Sequence, residues 1–246
     1  MSGLLGGQTS GKASSCQSPA SVHVGAMLTL VDVLDAEEAA RISAALAGAP
    51  FRDGKLTAGP AARKVKSNVQ ADGSDERVRA LAADVRSALE ASDVFRLYAR
   101  PARWSKLLFS RYGPGDAYGM HADDATMAAE DGGRLRTDLS FTLFLAPPET
   151  YEGGALVVDG LDGEREVKLP AGGVVIYPTG ALHRVQPVTA GQRVACVGWI
   201  QSLVRREDER ELLFDLGRVR ASLPDGEARL LLDKSIGNLL RLWIAP

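Results

Sequence analysis

A mainly β core flanked by helices, an α+β arrangement, is what this 246-residue chain predicts, on three features. The hydrophobic period changes from helical to two near Trp104. From there to about Leu203, short strand-like runs alternate with turns rich in Gly and Pro, and beyond Arg205 the pattern is helical again. Many short strands between turns mean a sandwich or barrel. Two histidines and an aspartate embedded in that run select the cupin-type jelly roll, or double-stranded β-helix, which places metal ligands inside one mouth. The expected layout is a jelly-roll domain over residues 27–205, with its own N-terminal helices, and a helical extension over 206–246.

Composition narrows the setting. Hydrophobic content of 45% and charged content of 24% are ordinary for a globular protein. A net charge of −2 offers no basic surface for nucleic acid. No apolar run is long enough to span a bilayer. The two cysteines, Cys16 and Cys196, cannot make a disulfide framework, and Cys196 reads as a small core residue. A reducing cytoplasm is the expected location.

Residues 1–26 are rich in Gly, Ser, Ala and Gln, without a helical or strand period and without the apolar stretch of a secretory signal. They read as a disordered tail, an expression scar or a misassigned start, and His23 falls within them. Leu28–Leu34 reads as a strand. Asp35 then caps a helix reaching about Gly48, with Glu37 and Glu38 in the first turn, where the helix dipole favours acids. Gly54–Pro60 reads as a loop. Lys66–Gln70 reads as a short polar strand with Lys66, Asn68 and Gln70 on one face, either solvated or turned toward a site. Ser74 opens a helix to about Ser92, with Val78, Leu81, Val85 and Leu89 as its buried stripe.

Within the β region, Thr137–Leu145 alternates most clearly. Leu139, Phe141, Leu143 and Leu145 form an apolar face for the helices, while Asp138, Ser140 and Thr142 form a polar face for the mouth of the barrel. Further strands are expected at Ala155–Val158, Arg165–Leu169, Val174–Tyr177, Leu182–Val188 and Arg193–Leu203. The C-terminal segment predicts one helix around Leu212, Leu213 and Leu216 and a second over Ala228–Trp243. So leucine-rich an end covers a sheet face or pairs with a second copy of the chain.

The chemistry concentrates in four residues. His121 and Asp123 stand two apart, so on a strand both side chains leave the same face. His183 adds a second imidazole from a distant strand. Two histidines and a carboxylate with open positions form the facial triad of non-haem Fe(II) oxygenases. If Thr189–Gln192 is a hairpin turn, the next strand doubles back beside the first. That brings Arg193 near the metal, facing inward with Ala195, Val197 and Trp199. A guanidinium there can grip a carboxylate with two parallel hydrogen bonds. A chelating site beside a buried cation suits a 2-oxo dicarboxylate, and 2-oxoglutarate fits.

The surrounding text carries a resemblance. Leu108-Phe109-Ser110-Arg111-Tyr112, Tyr118-Gly119-Met120-His121-Ala122-Asp123-Asp124-Ala125 and Arg136-Thr137-Asp138-Leu139-Ser140 resemble the PKHD-type hydroxylases. So do Gly153-Gly154-Ala155-Leu156, Leu169-Pro170-Ala171-Gly172, Leu182-His183-Arg184-Val185 and Trp199-Ile200-Gln201-Ser202-Leu203-Val204-Arg205. That family is a bacterial branch of the Fe(II)/2-oxoglutarate dioxygenases, similar to prolyl 4-hydroxylases. The likeness runs from about Met27 to the C-terminus. It implies iron ligands at His121, Asp123 and His183, with 2-oxoglutarate held by Arg193 and hydrogen-bonded by Tyr112. It also implies O2 as oxidant, ascorbate as an accessory reductant, release of succinate and CO2, and a small-molecule or peptide substrate. The Lys66–Gln70 face would lie near that substrate, although Ser67 departs from a commoner Asn.

Two other classes share part of the pattern. A cupin-like hydrolase or isomerase using Zn²⁺ keeps the triad but gives Arg193 no dicarboxylate to bind. A non-catalytic iron or 2-oxoglutarate sensor keeps all four residues and releases no succinate in air.

Overall fold

The computed structural model describes residues 21–24, 27–160 and 163–244. Strands β1 (Ser21–Val24) and β2 (Met27–Leu30) lead into helix α1 (Ala36–Ala47). Asp35 caps that helix in a reciprocal capping box: its carboxylate accepts from the Glu38 amide (2.8 Å) and its own amide donates to Glu38 Oε2 (3.0 Å). After β3 (Phe51–Asp53), β4 (Lys66–Ser67) and β5 (Val69–Ala71) come α2 (Glu76–Ala91) and α3 (Asp93–Ala99). The body of the chain is β: β6 (Pro101–Trp104), β7 (Leu108–Tyr112), β8 (Ala117–His121), β9 (Thr126–Ala128), β10 (Arg134–Arg136) and β11 (Leu139–Phe144). It continues through β12 (Tyr151–Gly153), β13 (Leu156–Gly160), β14 (Gly163–Val167), β15 (Val174–Pro178), β16 (His183–Val185), β17 (Val188–Gly191) and β18 (Arg193–Ser202). Helices α4 (Glu207–Ser222) and α5 (Glu227–Trp243) complete the described chain.

Two antiparallel sheets face each other. The major sheet runs β1-β2-β15-β11-β18-β7-β5-β3, with β6 also paired to β18, and the minor sheet runs β14-β13-β16-β8-β4. The side-chain period of two divides the major sheet into two faces. Leu139, Phe141 and Leu143 of β11, with Val194, Cys196 and Ile200 of β18, pack outward against Ile42 and Leu46 of α1, Val85 and Leu89 of α2, and Phe95 of α3. Tyr112, Phe144, Val175 and Tyr177 point inward and meet Leu156, Val158 and Val185 of the minor sheet. The molecule is therefore three-layered, helices on sheet on sheet, with a polar cleft at one end of the inter-sheet space. No helix among the described residues is long and apolar enough to cross a membrane.

Several local expectations are corrected. Residues Ser21–Val24, read as aperiodic, form the edge strand β1 through backbone pairing with β2; the rest of 1–26 lies outside the described residues. The Gly54–Pro60 loop contains a 3-10 turn over Gly54–Thr57. Asp75, rather than Ser74, caps α2, accepting from the Arg77 amide. Helix α3 was not foreseen. The polar strand at 66–70 is split between the two sheets, which turns Lys66 and Gln70 into the cleft and buries Asn68 beside Gly54. Asp138 precedes β11 and pairs with Arg136 through two bonds of 2.6 and 2.9 Å instead of facing the mouth.

The largest correction concerns the approach to Arg193. Residues 188–191 are a strand, β17, paired with β12, and β18 does not return beside β16. At Gly191 the backbone takes φ +71°, and a Cβ there would collide with the Thr150 carbonyl at 2.1 Å. The chain thus crosses from one sheet to the facing one, and Arg193 still arrives inside the cleft.

Candidate metal centre

β8 and β16 are neighbours, with His183 directly opposite His121. Their rings lie 4.3 Å apart between centroids. β8 ends at His121, so Asp123 is brought to the same place by the turn that follows, not by strand alternation. Its carboxylate comes within 3.7 Å of His121 Nε2 and 3.6 Å of His183 Nε2. One ligand atom from each of the three residues falls inside a 4.8 Å cluster, the arrangement that could hold a metal ion.

The surroundings aim these atoms. His121 Nδ1 bonds the Gly119 carbonyl at 2.8 Å and His183 Nδ1 bonds the Ala181 carbonyl at 3.0 Å. A carbonyl only accepts, so each Nδ1 carries the proton and each Nε2 offers its lone pair to the cluster. His121 Nε2 is buried with no hydrogen-bond partner among the described residues, which fits an atom that could ligate a metal. Burial, together with His183 beside it, pushes the His121 pKa down to about 4, keeping the imidazole neutral and ready to ligate. Asp123 Oδ2 accepts from Ser140 Oγ at 2.9 Å and from Trp199 Nε1 at 2.8 Å, which fixes the carboxylate plane. Tyr118 stacks on the His121 ring, 3.6 Å between centroids and 19° apart, and limits its rotation.

On the facing sheet, Arg193 is 1% exposed, one of the most buried large side chains in the molecule. β18 sets it opposite Tyr112 of β7, and its guanidinium lies 5.3 Å from the Tyr112 and Phe144 rings. Among the described residues it makes no ion pair, and its Nε has no partner. A buried guanidinium without an acid is expensive, and an anion in the cleft would offset that cost. Gly154, at φ +65°, leaves the room: a Cβ there would come within 3.2 Å of Arg193 Cδ. The Tyr112 hydroxyl is raised to about 12, chiefly by burial, and stays protonated as a donor.

The donor set suits iron, and comparison with known proteins agrees. The family model of the 2OG-Fe(II) oxygenase superfamily matches residues 107–201. A PKHD-type hydroxylase of Maricaulis maris is 54% identical over 197 residues, covering 78% of this chain and 87% of its own. A PKHD-type hydroxylase of a Picosynechococcus is 47% identical over 215 residues, covering 86% and 96%. The chain belongs to the PKHD-type hydroxylases. As a 2OG-Fe(II) oxygenase it is an oxidoreductase whose cofactor is iron and whose cosubstrate is 2-oxoglutarate. The jelly-roll fold is shared with a prolyl hydroxylase of Trichoplax adhaerens, solved with a hypoxia inducible factor peptide fragment. That match has a TM-score of 0.51 at 16% identity over 76% of this chain and 87% of the other.

The hydroxylase cleft brings together all five residues expected from sequence: His121, Asp123, His183, Arg193 and Tyr112. Asp124 also reaches the cleft wall, held near Gly59, but it stands outside the three-residue cluster. Sequence reasoning missed what Trp199, Ser140 and Tyr118 do. It placed Trp199 inward and Ser140 on the polar face, yet their bonds to Asp123 depend on long-range register.

Lys66 takes the second of its two expected places, turned into the cleft. It is 6% exposed, lies 4.8 Å from the Tyr118 ring centroid, and has its pKa pushed down to about 8 by burial, against the pull of Asp123 and Asp53.

Proposed function

We propose that His121, Asp123 and His183 hold the iron of this dioxygenase, and that Arg193 and Tyr112 bind the distal carboxylate of 2-oxoglutarate. The observation that carries this reading is a pair of orphaned buried atoms, His121 Nε2 in the triad and Arg193 Nε on the facing sheet. When bound, iron and 2-oxoglutarate supply an oxidation in which the 2-oxo acid becomes succinate and CO2 and one oxygen atom enters a substrate C–H bond. The chain's own residues do the rest. Ser140 and Trp199 hold Asp123, backbone carbonyls fix the histidine tautomers, and Arg193 orients the dicarboxylate from a dry wall. A Zn²⁺ hydrolase would leave Arg193 with nothing to bind.

The catalytic domain spans 27–205 and residues 206–246 extend it. The substrate is a small molecule or peptide, ascorbate serves as accessory reductant, and the protein works in the cytoplasm, in keeping with its two cysteines and buried Cys196. A second copy of the chain is proposed to cover α5, which shows Leu230, Leu231 and Leu242 to solvent.

The test is metal content and succinate release with Fe(II) and 2-oxoglutarate in air. The wild type retains one iron and releases succinate, whereas His183→Ala loses both. Full iron retention by His183→Ala would remove His183 from the ligand set. Iron and 2-oxoglutarate bound without succinate release would make the protein a sensor.

A further inference from the structure

The cleft has two basic side chains on its wall, Arg193 and Lys66, and they stand on different sheets. A dicarboxylate chelated by the metal and gripped by Arg193 uses one of them. Lys66 remains. Buried lysines are rare unless paired, and this one is nine-tenths buried with no carboxylate of the described residues within ion-pair distance. Among the described residues its only hydrogen bond is a long one, 3.4 Å to Thr57 Oγ1. Thr57 spends its own proton on Gly54 O or Gln70 Oε1, and Gln70 continues to Ser110 at 3.1 Å. At least two of the three ammonium donors are therefore free.

The position is equally specific. β4 sets Lys66 opposite Tyr118 at the edge of the minor sheet, with the ammonium over the ring that stacks on His121. A group held there sits one aromatic ring from His121 of the triad. The two acids whose charge reaches it stand beyond ion-pair distance and are held elsewhere: Asp123 accepts from Ser140 and Trp199, and Asp53 accepts from the Lys55 amide.

We propose that the Lys66 ammonium receives a carboxylate of the primary substrate, which makes the substrate class a carboxylic acid. This rests on the dioxygenase reading of the same cleft. One ammonium with no guanidinium beside it matches a single negative charge better than a phosphate dianion, which calls for a fork of donors.

The experiment uses the full chain loaded with Zn(II) and 2-oxoglutarate. Free and N-acetylated L-amino acids, each with its primary amide, are screened by ligand-observed NMR. The expected result is that the binders are acids and that each corresponding amide binds at least tenfold more weakly. Lys66→Met abolishes the preference and Lys66→Arg keeps part of it, while both retain metal and bind 2-oxoglutarate within twofold of wild type. Acids and amides binding alike, or no acid binding, overturns the proposal. So does an acid preference that survives in Lys66→Met, or a loss of 2-oxoglutarate affinity in that variant, which would hand Lys66 to the cosubstrate. A lower melting temperature in Lys66→Met with an unchanged preference marks the lysine as structural. Wild-type protein that fails to bind 2-oxoglutarate sinks the dioxygenase reading itself, a result read separately from the acid–amide comparison.

Discussion

The two faces of β11 are buried to the same degree and built on opposite principles. Leu139, Phe141 and Leu143 on the outer face are 0–1% exposed, and Ser140 and Thr142 on the inner face are 2% exposed. The outer face is apolar and satisfied by contact: the Phe141 ring sits edge-on to both Phe95 and Trp104. The inner face is polar, and the cleft it lines contains atoms with nothing to bond, His121 Nε2 and Arg193 Nε among them. Burial alone therefore does not separate scaffold from site. What separates the two faces of this strand is chemistry: the outer one needs no bonds, whereas the cleft gathers a triad and a guanidinium whose orphaned atoms cost stability that a ligand can recover. The orphans elsewhere, at Asn68, Arg100 and Tyr151, have no such cluster around them.

The largest effect on stability should come from the outer face. Phe141→Ala removes a ring packed among Phe95, Trp104 and the helices, and should destabilise the fold by about 3–5 kcal/mol. Metal bound per folded molecule should not change. Denaturant unfolding with metal analysis on the folded fraction checks both; a variant that keeps its stability but loses metal would mean the two faces are not independent.

The outer face was readable from sequence and the inner one only in part. The α2 stripe of Val78, Leu81, Val85 and Leu89 is buried as its spacing requires, and the Asp35 cap lies where the local sequence puts it. Both are local signals spread over several turns or carried by a named cap. Alternation along β18 also held, turning Arg193 inward and Val194 and Cys196 outward. Helix α3 was missed because seven residues complete barely two turns, too short for a period to show. The sheet crossing at Gly191 was missed because a strand–Gly–strand run reads equally well as a hairpin. Trp199 and Ser140 reach Asp123 across 76 and 17 residues, and no local pattern encodes such a distance. Lys66 faced two readings, solvated or turned to the site, and only its 6% exposure decides between them.

The inner face should break differently. Arg193→Ala removes a cation that makes no ion pair among the described residues, so the fold should lose little and the metal should stay. Binding of 2-oxoglutarate should weaken by about 2–5 kcal/mol, the cost of truncating one side of a buried charge pair. Arg193→Lys should restore part of that, because an ammonium cannot reproduce the planar two-bond grip. Anaerobic isothermal titration with 2-oxoglutarate, alongside metal content, gives the answer. Wild-type affinity in Arg193→Ala would remove the reason for pairing this guanidinium with the dicarboxylate.

The smallest effect is the sharpest test of the comparison, because it predicts that deleting an inner-face side chain stabilises the protein. Lys66 has its folded-state pKa lowered to about 8 by burial, against 10.5 for an ordinary lysine. Below pH 8 it is charged in both states, and the folded protein bears the full cost of holding the charge out of water. Between about pH 8 and 10.5 the unfolded chain binds more protons than the folded one, so wild-type stability gains with rising pH relative to a variant without the group. Lys66→Met should therefore be more stable than wild type at pH 7, by on the order of 2 kcal/mol. That advantage should shrink steadily from pH 8 to 10.5. Urea unfolding of the metal-free proteins at pH 7, 8.5 and 10 measures it. A constant difference, or a variant less stable at pH 7, would mean that Tyr118 and Thr57 already compensate the charge, and that the inner face is better satisfied than its orphaned atoms imply.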